Sequence, residues 1–210
     1  MFFSLIDLIL WLPAVIIALT FHEYAHGKMA DQLGDPTPRY QGRLTLNPFA
    51  HLDPIGFLLL IVTHFGWAKP VQVNPFNFRG NRNTGMVLVA AAGPLMNLLV
   101  AFTAVLVRYL AFPQGNIPNL YVSEILNGIV FINIYLALFN MIPIPPLDGG
   151  RILTSLLPSS EVVYYLERYG VFILIFLIFT NAVNGLLSPV ASLIYHLFVN
   201  VSSFIASPFA

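Results

Sequence analysis

The sequence predicts an α-helical polytopic membrane protein with about four to six transmembrane helices and a small membrane-associated β element between the first and second spans. Three observations support this class. Of the 210 residues, 58% are hydrophobic and only 9% are charged, against about 25% charged in an ordinary soluble domain. The apolar residues fall in runs near the length of a bilayer crossing rather than in amphipathic stripes. The basic residues, which balance the acidic ones to a net charge of zero, are spread unevenly between the runs. The balanced charge suggests no nucleic-acid partner, and the lack of Cys excludes disulfides and thiol chemistry.

The elements follow in order. The first span runs from Phe2 to about Met29. It lacks a basic leader, carries Asp7 and continues into His22-Glu23, so a cleaved signal peptide is not expected. A polar stretch rich in Pro, Gly and Asn follows. Within it Tyr40–Leu46 and Val71–Val73 read as short strands, each running into an Asn-Pro-Phe turn. Ile55 to Ala68 is apolar but short for a crossing and contains His64, which predicts a re-entrant or buried element. Further spans are expected at Thr84 to about Phe112, Tyr121 to about Ile142, and Tyr169 to about Leu187. The tail from Pro189 to Ala206 is long enough but diluted by polar residues. The chain reads as one membrane-embedded domain, 1–210, with a core at about 2–152 and C-terminal helices at 165–206.

Charge sets the orientation. If Ile55–Ala68 does not cross, Lys28, Arg39, Arg43, Lys69, Arg79, Arg82, Arg151 and Arg168 share one side and Arg108 alone lies on the other. By the positive-inside rule the shared side is cytoplasmic. A crossing at Ile55–Ala68 would divide the same residues more evenly.

The chemistry concentrates at His22-Glu23-Tyr24-Ala25-His26, an H-E-x-x-H pattern at the end of the first span. On a helix, residues four apart leave the same face one turn apart, so both imidazoles can hold one metal ion. Glu23 sits on the flank, placed to take a proton from water at that metal. Ionisable groups at membrane depth cost about 2.5 to 3.5 kcal/mol each on insertion scales, and a bound metal would compensate them. A third protein ligand is still needed. The candidates are Asp148, His51, His64, Asp53, Glu124 and His196. Asp148 follows Asn140-Met141-Ile142-Pro143-Ile144-Pro145-Pro146-Leu147, whose prolines stop the third span, and is expected on a fixed non-helical segment with Gly149-Gly150 forming a tight turn. Alternating spans bring His26 and Asp148 out on one side, whereas Glu124 emerges on the other. Asn97 and Asn140 are intramembrane amides, and hydrogen bonding between helices is the competing role for Asn97. The same ligands would also suit a non-haem iron enzyme or a membrane metal-ion transporter. Glu23 has no part to play in the former, and the latter should show several sites along a path.

With these residues assembled, the chain resembles the site-2 protease family of intramembrane zinc metalloproteases. The matching pieces are Phe21-His22-Glu23-Tyr24-Ala25-His26-Gly27, Gly93-Pro94 with Asn97, and Asn140, Pro143 and Leu147-Asp148-Gly149, in the family's order from about residue 10 to 152. The resemblance implies one zinc per chain on His22, His26 and Asp148, and Glu23 as general base for peptide hydrolysis. It implies that Asn140 holds the substrate or the developing oxyanion, a role an amide donor suits. It further implies a minimal form without a PDZ or CBS domain, a transmembrane helix of another protein as substrate, and a prokaryotic cell membrane as the location. Cleavage would require an unwound stretch of substrate, which Val71–Val73 could hold by strand addition.

Overall fold

The architecture comes from a computed structural model that describes residues 5–63, 66–112, 117 and 119–209. Eight α-helices occur among the described residues. The first, α1 (Leu5–Gln32), has 28 residues, about 42 Å at 1.5 Å per residue and longer than a hydrocarbon layer of about 30 Å. Its inward face is built from small side chains: Ala14, Ala18, Ala25 and Ala30 are all buried. Small residues let neighbouring helices approach closely, and the same face carries His22 and His26 one turn apart, both buried.

Two helices pack on that face. One is α4 (Arg82–Ala111), started by Asn81, whose side chain accepts from the Thr84 N–H. The other is α5 (Leu120–Asn140), started by Asn119, which accepts from the Tyr121 N–H in the same way. Both caps satisfy backbone donors that a helix start otherwise leaves open. Together α1, α4 and α5 form the three-helix centre of the molecule.

Between α1 and α4 the chain makes the short helix α2 (Thr37–Tyr40) and then α3 (Pro54–Thr63). At ten residues α3 is about 15 Å long, half of a crossing. Leu52 forms an antiparallel bridge with Ala68, and the Lys69 N–H donates to the His51 carbonyl at 2.8 Å. The segment therefore returns to the side from which it left. His64, in its middle, lies outside the described residues.

The expected β element is not formed. Tyr40 ends α2, Gly42 turns the chain at φ 65°, and apart from the Leu52–Ala68 bridge no strand pairing occurs among the described residues. Side chains supply the hydrogen bonds that a ladder would have made. The buried Arg43 guanidinium donates to the carbonyls of Ala50, Lys69 and Pro70. Asp35, fully buried, accepts from the backbone of Thr37 and Asn74 and from the side chains of Thr37 and Asn77. Both Asn-Pro-Phe sequences form single 3-10 turns in which the Asn side chain accepts from the Phe N–H, at 3.1 Å in each.

After α5 the irregular stretch 141–147 leads to α6 (Asp148–Leu156), which packs on α4. Next come α7 (Glu161–Phe179) and α8 (Ala182–Ala206), joined at Thr180 and the left-handed Asn181. The expected span from Tyr169 to Leu187 is thus broken. Its first part belongs to a helix that starts earlier, and its last part to one that passes through Pro189 and takes in the expected tail. Among the described residues α4, α5, α7 and α8 are long and apolar enough to cross a membrane.

Candidate metal centre

His22 and His26 lie on the part of α1 that faces α4 and α6. Across from them, Gly93 of α4 is the residue over which the imidazoles pack. A methyl group added there would lie 2.7 Å from Cε1 of His22 and 2.6 Å from Cε1 of His26. Only a residue without a side chain leaves room for both rings. Asp148 comes in from the first position of α6, so it opens a helix rather than standing on the expected non-helical turn. The reason is steric. Added Cβ atoms at Gly149 and Gly150 would collide with the backbone at Met141–Ile142 and Ile144–Pro145, so these glycines permit close backbone packing and not a left-handed turn.

Three ligand-type atoms converge. Nε2 of His22 and Nε2 of His26 are 3.0 Å apart, and Oδ2 of Asp148 lies 3.1 Å from the first and 3.3 Å from the second. All three side chains are buried.

The surrounding hydrogen bonds fix what these atoms offer. Nδ1 of His26 is 2.7 Å from the Val89 carbonyl, which can only accept, so Nδ1 carries the proton. Asn97 donates through Nδ2 to the Ala18 carbonyl at 3.0 Å, which orients its amide and presents Oδ1 to Nδ1 of His22 at 2.6 Å. His22 therefore also carries its proton on Nδ1. In the neutral state both Nε2 atoms are bare lone pairs facing each other and a carboxylate oxygen. Oδ2 of Asp148 is buried and has no hydrogen-bond partner among the described residues.

Acceptors gathered without a proton between them repel unless a cation sits among them. Zinc bonds of about 2.0 to 2.1 Å in a tetrahedral site set ligand atoms about 3.3 Å apart, close to the separations here. The donor set and its spacing fit zinc.

Glu23 lies on the flank of α1 and is half-buried, its Oε2 accepting from the Val71 N–H at 2.9 Å. It lines a cavity of about 360 Å³ together with His22, Asn140, Trp67, Leu147 and the Val171–Ile178 stretch of α7. Asn140, at the end of α5, donates to its own helix at the Leu136 carbonyl.

The other candidates lie elsewhere. His51 is buried and donates from Nε2 to the Thr45 carbonyl, holding the loop. Asp53 caps α3 through the N–H groups of Ile55 and Gly56. His196 lines a different cavity on α8. Neither it nor Glu124 belongs to a metal-type cluster among the described residues.

Three contributors were not anticipated: one side chain and the backbone of two residues. Asn133 accepts from Asn97 Nδ2 at 2.8 Å and donates to the Ile129 carbonyl, extending the chain of amides from His22 to α5. Its spacing of seven from Asn140 puts both on one face of α5, and that periodicity was visible. The backbone of Val71 and Val89 has no side-chain signature.

The fold and the site define a class: a polytopic helical membrane protein with a buried His-His-Asp centre suited to zinc and a carboxylate beside it facing a cavity. The comparison with known proteins gives the family. The chain belongs to peptidase family M50, the site-2 protease family, whose sequence pattern matches residues 108–177, a stretch containing Asn140 and Asp148. It is 39% identical over 181 residues to the Bacillus subtilis (strain 168) protein named "Putative zinc metalloprotease YwhC", covering 83% of this chain and 82% of that one. It is 32% identical over 155 residues to "Putative zinc metalloprotease MJ0611" of Methanocaldococcus jannaschii, covering 72% of each chain. It is 26% identical over 181 residues to "Putative zinc metalloprotease Rip2" of Mycolicibacterium smegmatis, covering 84% of this chain and 69% of the relative. The comparison with solved structures gives no significant match. The protein is a membrane-embedded zinc metalloprotease, and His22, His26 and Asp148 are a group able to hold the metal.

Proposed function

We propose that the chain is an intramembrane endopeptidase that cleaves peptide bonds in or near transmembrane segments of other membrane proteins, with its site open to the cytoplasm. The supporting observation is the convergence of three unprotonated acceptor atoms beside a cavity that Glu23 and Asn140 also line. Zinc held by His22, His26 and Asp148 would supply Lewis acidity, favouring deprotonation of water and polarising the scissile carbonyl. Glu23 takes the proton from the attacking water and delivers it to the amide nitrogen as the C–N bond breaks. The Val71 N–H holds Oε2 of Glu23, which leaves Oε1 for that traffic. The Asn140 amide uses one N–H on the Leu136 carbonyl and has a second to offer the oxygen that gains negative charge.

A helical substrate hides its carbonyls in its own hydrogen bonds, so the scissile stretch must be extended. The segment Val71–Val73 lies beside Glu23 with no ladder partner among the described residues and suits backbone pairing with such a stretch. Apolar walls from Leu174, Ile175 and Ile178 suit the side chains of a membrane segment. The cytoplasmic orientation rests on Lys28, Arg39, Arg43, Lys69, Arg79, Arg82 and Arg151, which the alternation of the spans gathers on the side of the site.

The test is co-expression with a panel of single-span membrane proteins, comparing the wild type with Glu23→Gln. Fragments should appear with the wild type alone. The same fragments with both proteins would remove Glu23 from the reaction.

A further inference from the structure

A second polar cavity, about 180 Å³, lies between α4, α5 and α8. It is far from the metal centre: Arg108, on its wall, follows Gly93 by fifteen residues along α4, about 22 Å. We propose that this cavity binds the phosphate of a membrane phospholipid.

Arg108 is the basic residue that the charge distribution leaves on the opposite side from the rest. Arg108 is half-buried, and among the described residues its guanidinium makes one hydrogen bond, from Nη1 to Oδ1 of Asn127 at 2.9 Å. Among the described residues no carboxylate lies within ion-pair distance of it. Glu124, one turn before Asn127 on α5, is not paired with it, and the ion pairs present involve His22, His26, Arg39 and Arg151. A guanidinium carries five N–H donors, and most of these have no partner among the described residues. A cation in apolar surroundings without a counter-charge is costly, and a phosphate is the anion that the guanidinium fork matches in shape. Asn127, Tyr109, Tyr195 and His196 add further polar groups to the lining, and aromatic residues with a polar tip are typical of the headgroup level of a membrane.

The apolar neighbourhood favours a lipid over a free ion. Ala104 and Leu126 wall this cavity and also a groove of about 410 Å³, otherwise lined by residues such as Phe21, Leu99, Val107 and Ile129. The polar pocket thus abuts an apolar surface on which a methylene chain can lie. A free phosphate would have no use for it.

Purified protein in mild detergent tests this by native mass spectrometry, with thermal unfolding followed on addition of phosphatidylglycerol or of inorganic phosphate. The wild type should retain about one phospholipid more than Arg108→Gln, and phosphatidylglycerol should raise the melting temperature of the wild type only. Arg108→Lys keeps the charge but loses the fork and should bind about tenfold more weakly, the loss of one good hydrogen-bonded contact. If Arg108→Gln does not fold, the comparison with Arg108→Lys carries the test alone. A shift with inorganic phosphate and none with lipid would overturn the lipid assignment. Equal retention and equal shifts in wild type and both variants would overturn the site itself, leaving Arg108 as a side chain that merely reaches the interface.

Discussion

Replacing Asn97 with Leu tests the hydrogen-bond network behind the metal site. Asn97 makes three contacts: Oδ1 to Nδ1 of His22 at 2.6 Å, and Nδ2 to the Ala18 carbonyl at 3.0 Å and to Oδ1 of Asn133 at 2.8 Å. Leucine has nearly the same volume and makes none of them. The Ala18 carbonyl keeps its place in the α1 ladder, but the His22 N–H and the Asn133 oxygen are orphaned in a buried setting. At about 1 to 3 kcal/mol per orphaned group, the fold should lose about 2 to 6 kcal/mol. The loss to the site is separate. Without the bond at Nδ1, nothing fixes the His22 tautomer, and removing a group that orients a metal ligand typically costs ten- to a hundredfold in affinity. Competition with a graded series of chelators reads the affinity, and thermal unfolding in detergent with and without zinc reads the stability. Asn97→Asp keeps an acceptor towards His22 but loses both donors, so it should hold zinc near wild-type affinity while melting earlier. Wild-type zinc affinity in Asn97→Leu would refute the tautomer argument.

Other perturbations probe neighbouring parts of the structure. Gly93→Ala puts a methyl group against both imidazole rings and should cost at least tenfold in zinc affinity; unchanged metal content after dialysis would show that α1 and α4 can separate freely. Val71→Pro removes the N–H that holds Glu23, so cleavage should fall severalfold with zinc content intact, and unchanged turnover would dismiss a role for this contact. Burial pushes the Asp35 carboxyl up, yet hydrogen bonds from Thr37, Asn77 and Asn74 outweigh it and hold the group below the usual carboxylate range. A group depressed in the native state stabilises above its unfolded value of about 3.9 and loses that contribution as pH falls through the native one. The melting temperature of Asp35→Asn should therefore lie below that of the wild type at pH 7, with the gap narrowing towards pH 3; an equal gap at both would contradict the linkage.

Much of this architecture is legible in the sequence because the membrane imposes long helices on apolar runs. The meeting of His22, His26 and Asp148 was also legible: His22 and His26 share a helix face by spacing alone, and the prolines before Asp148 mark where α5 has to stop. Local pattern misled where tertiary contacts decide. Val71–Val73 has strand-forming residues, but its hydrogen bonds go to Glu23 and to Asp35 through the neighbouring Asn74, and no sequence rule pairs a backbone N–H with a carboxylate 48 positions away. Gly149-Gly150 reads as a turn because positive φ is the commoner use of glycine, whereas here the missing Cβ admits the backbone of 141–145. The break falls at Asn181, in the left-handed conformation, within Thr180-Asn181-Ala182-Val183-Asn184-Gly185, and composition alone does not say which of these residues ends a helix and which lies inside one.

The most direct measurement of the central claim is metal content with X-ray absorption on protein purified without added metal. One zinc per chain is expected, with two imidazole nitrogens and a carboxylate oxygen in its shell. That metal should be absent from His26→Ala and from Asp148→Ala and retained in Glu23→Gln. Equal zinc content in His26→Ala and the wild type, or a shell without imidazole, would contradict the account.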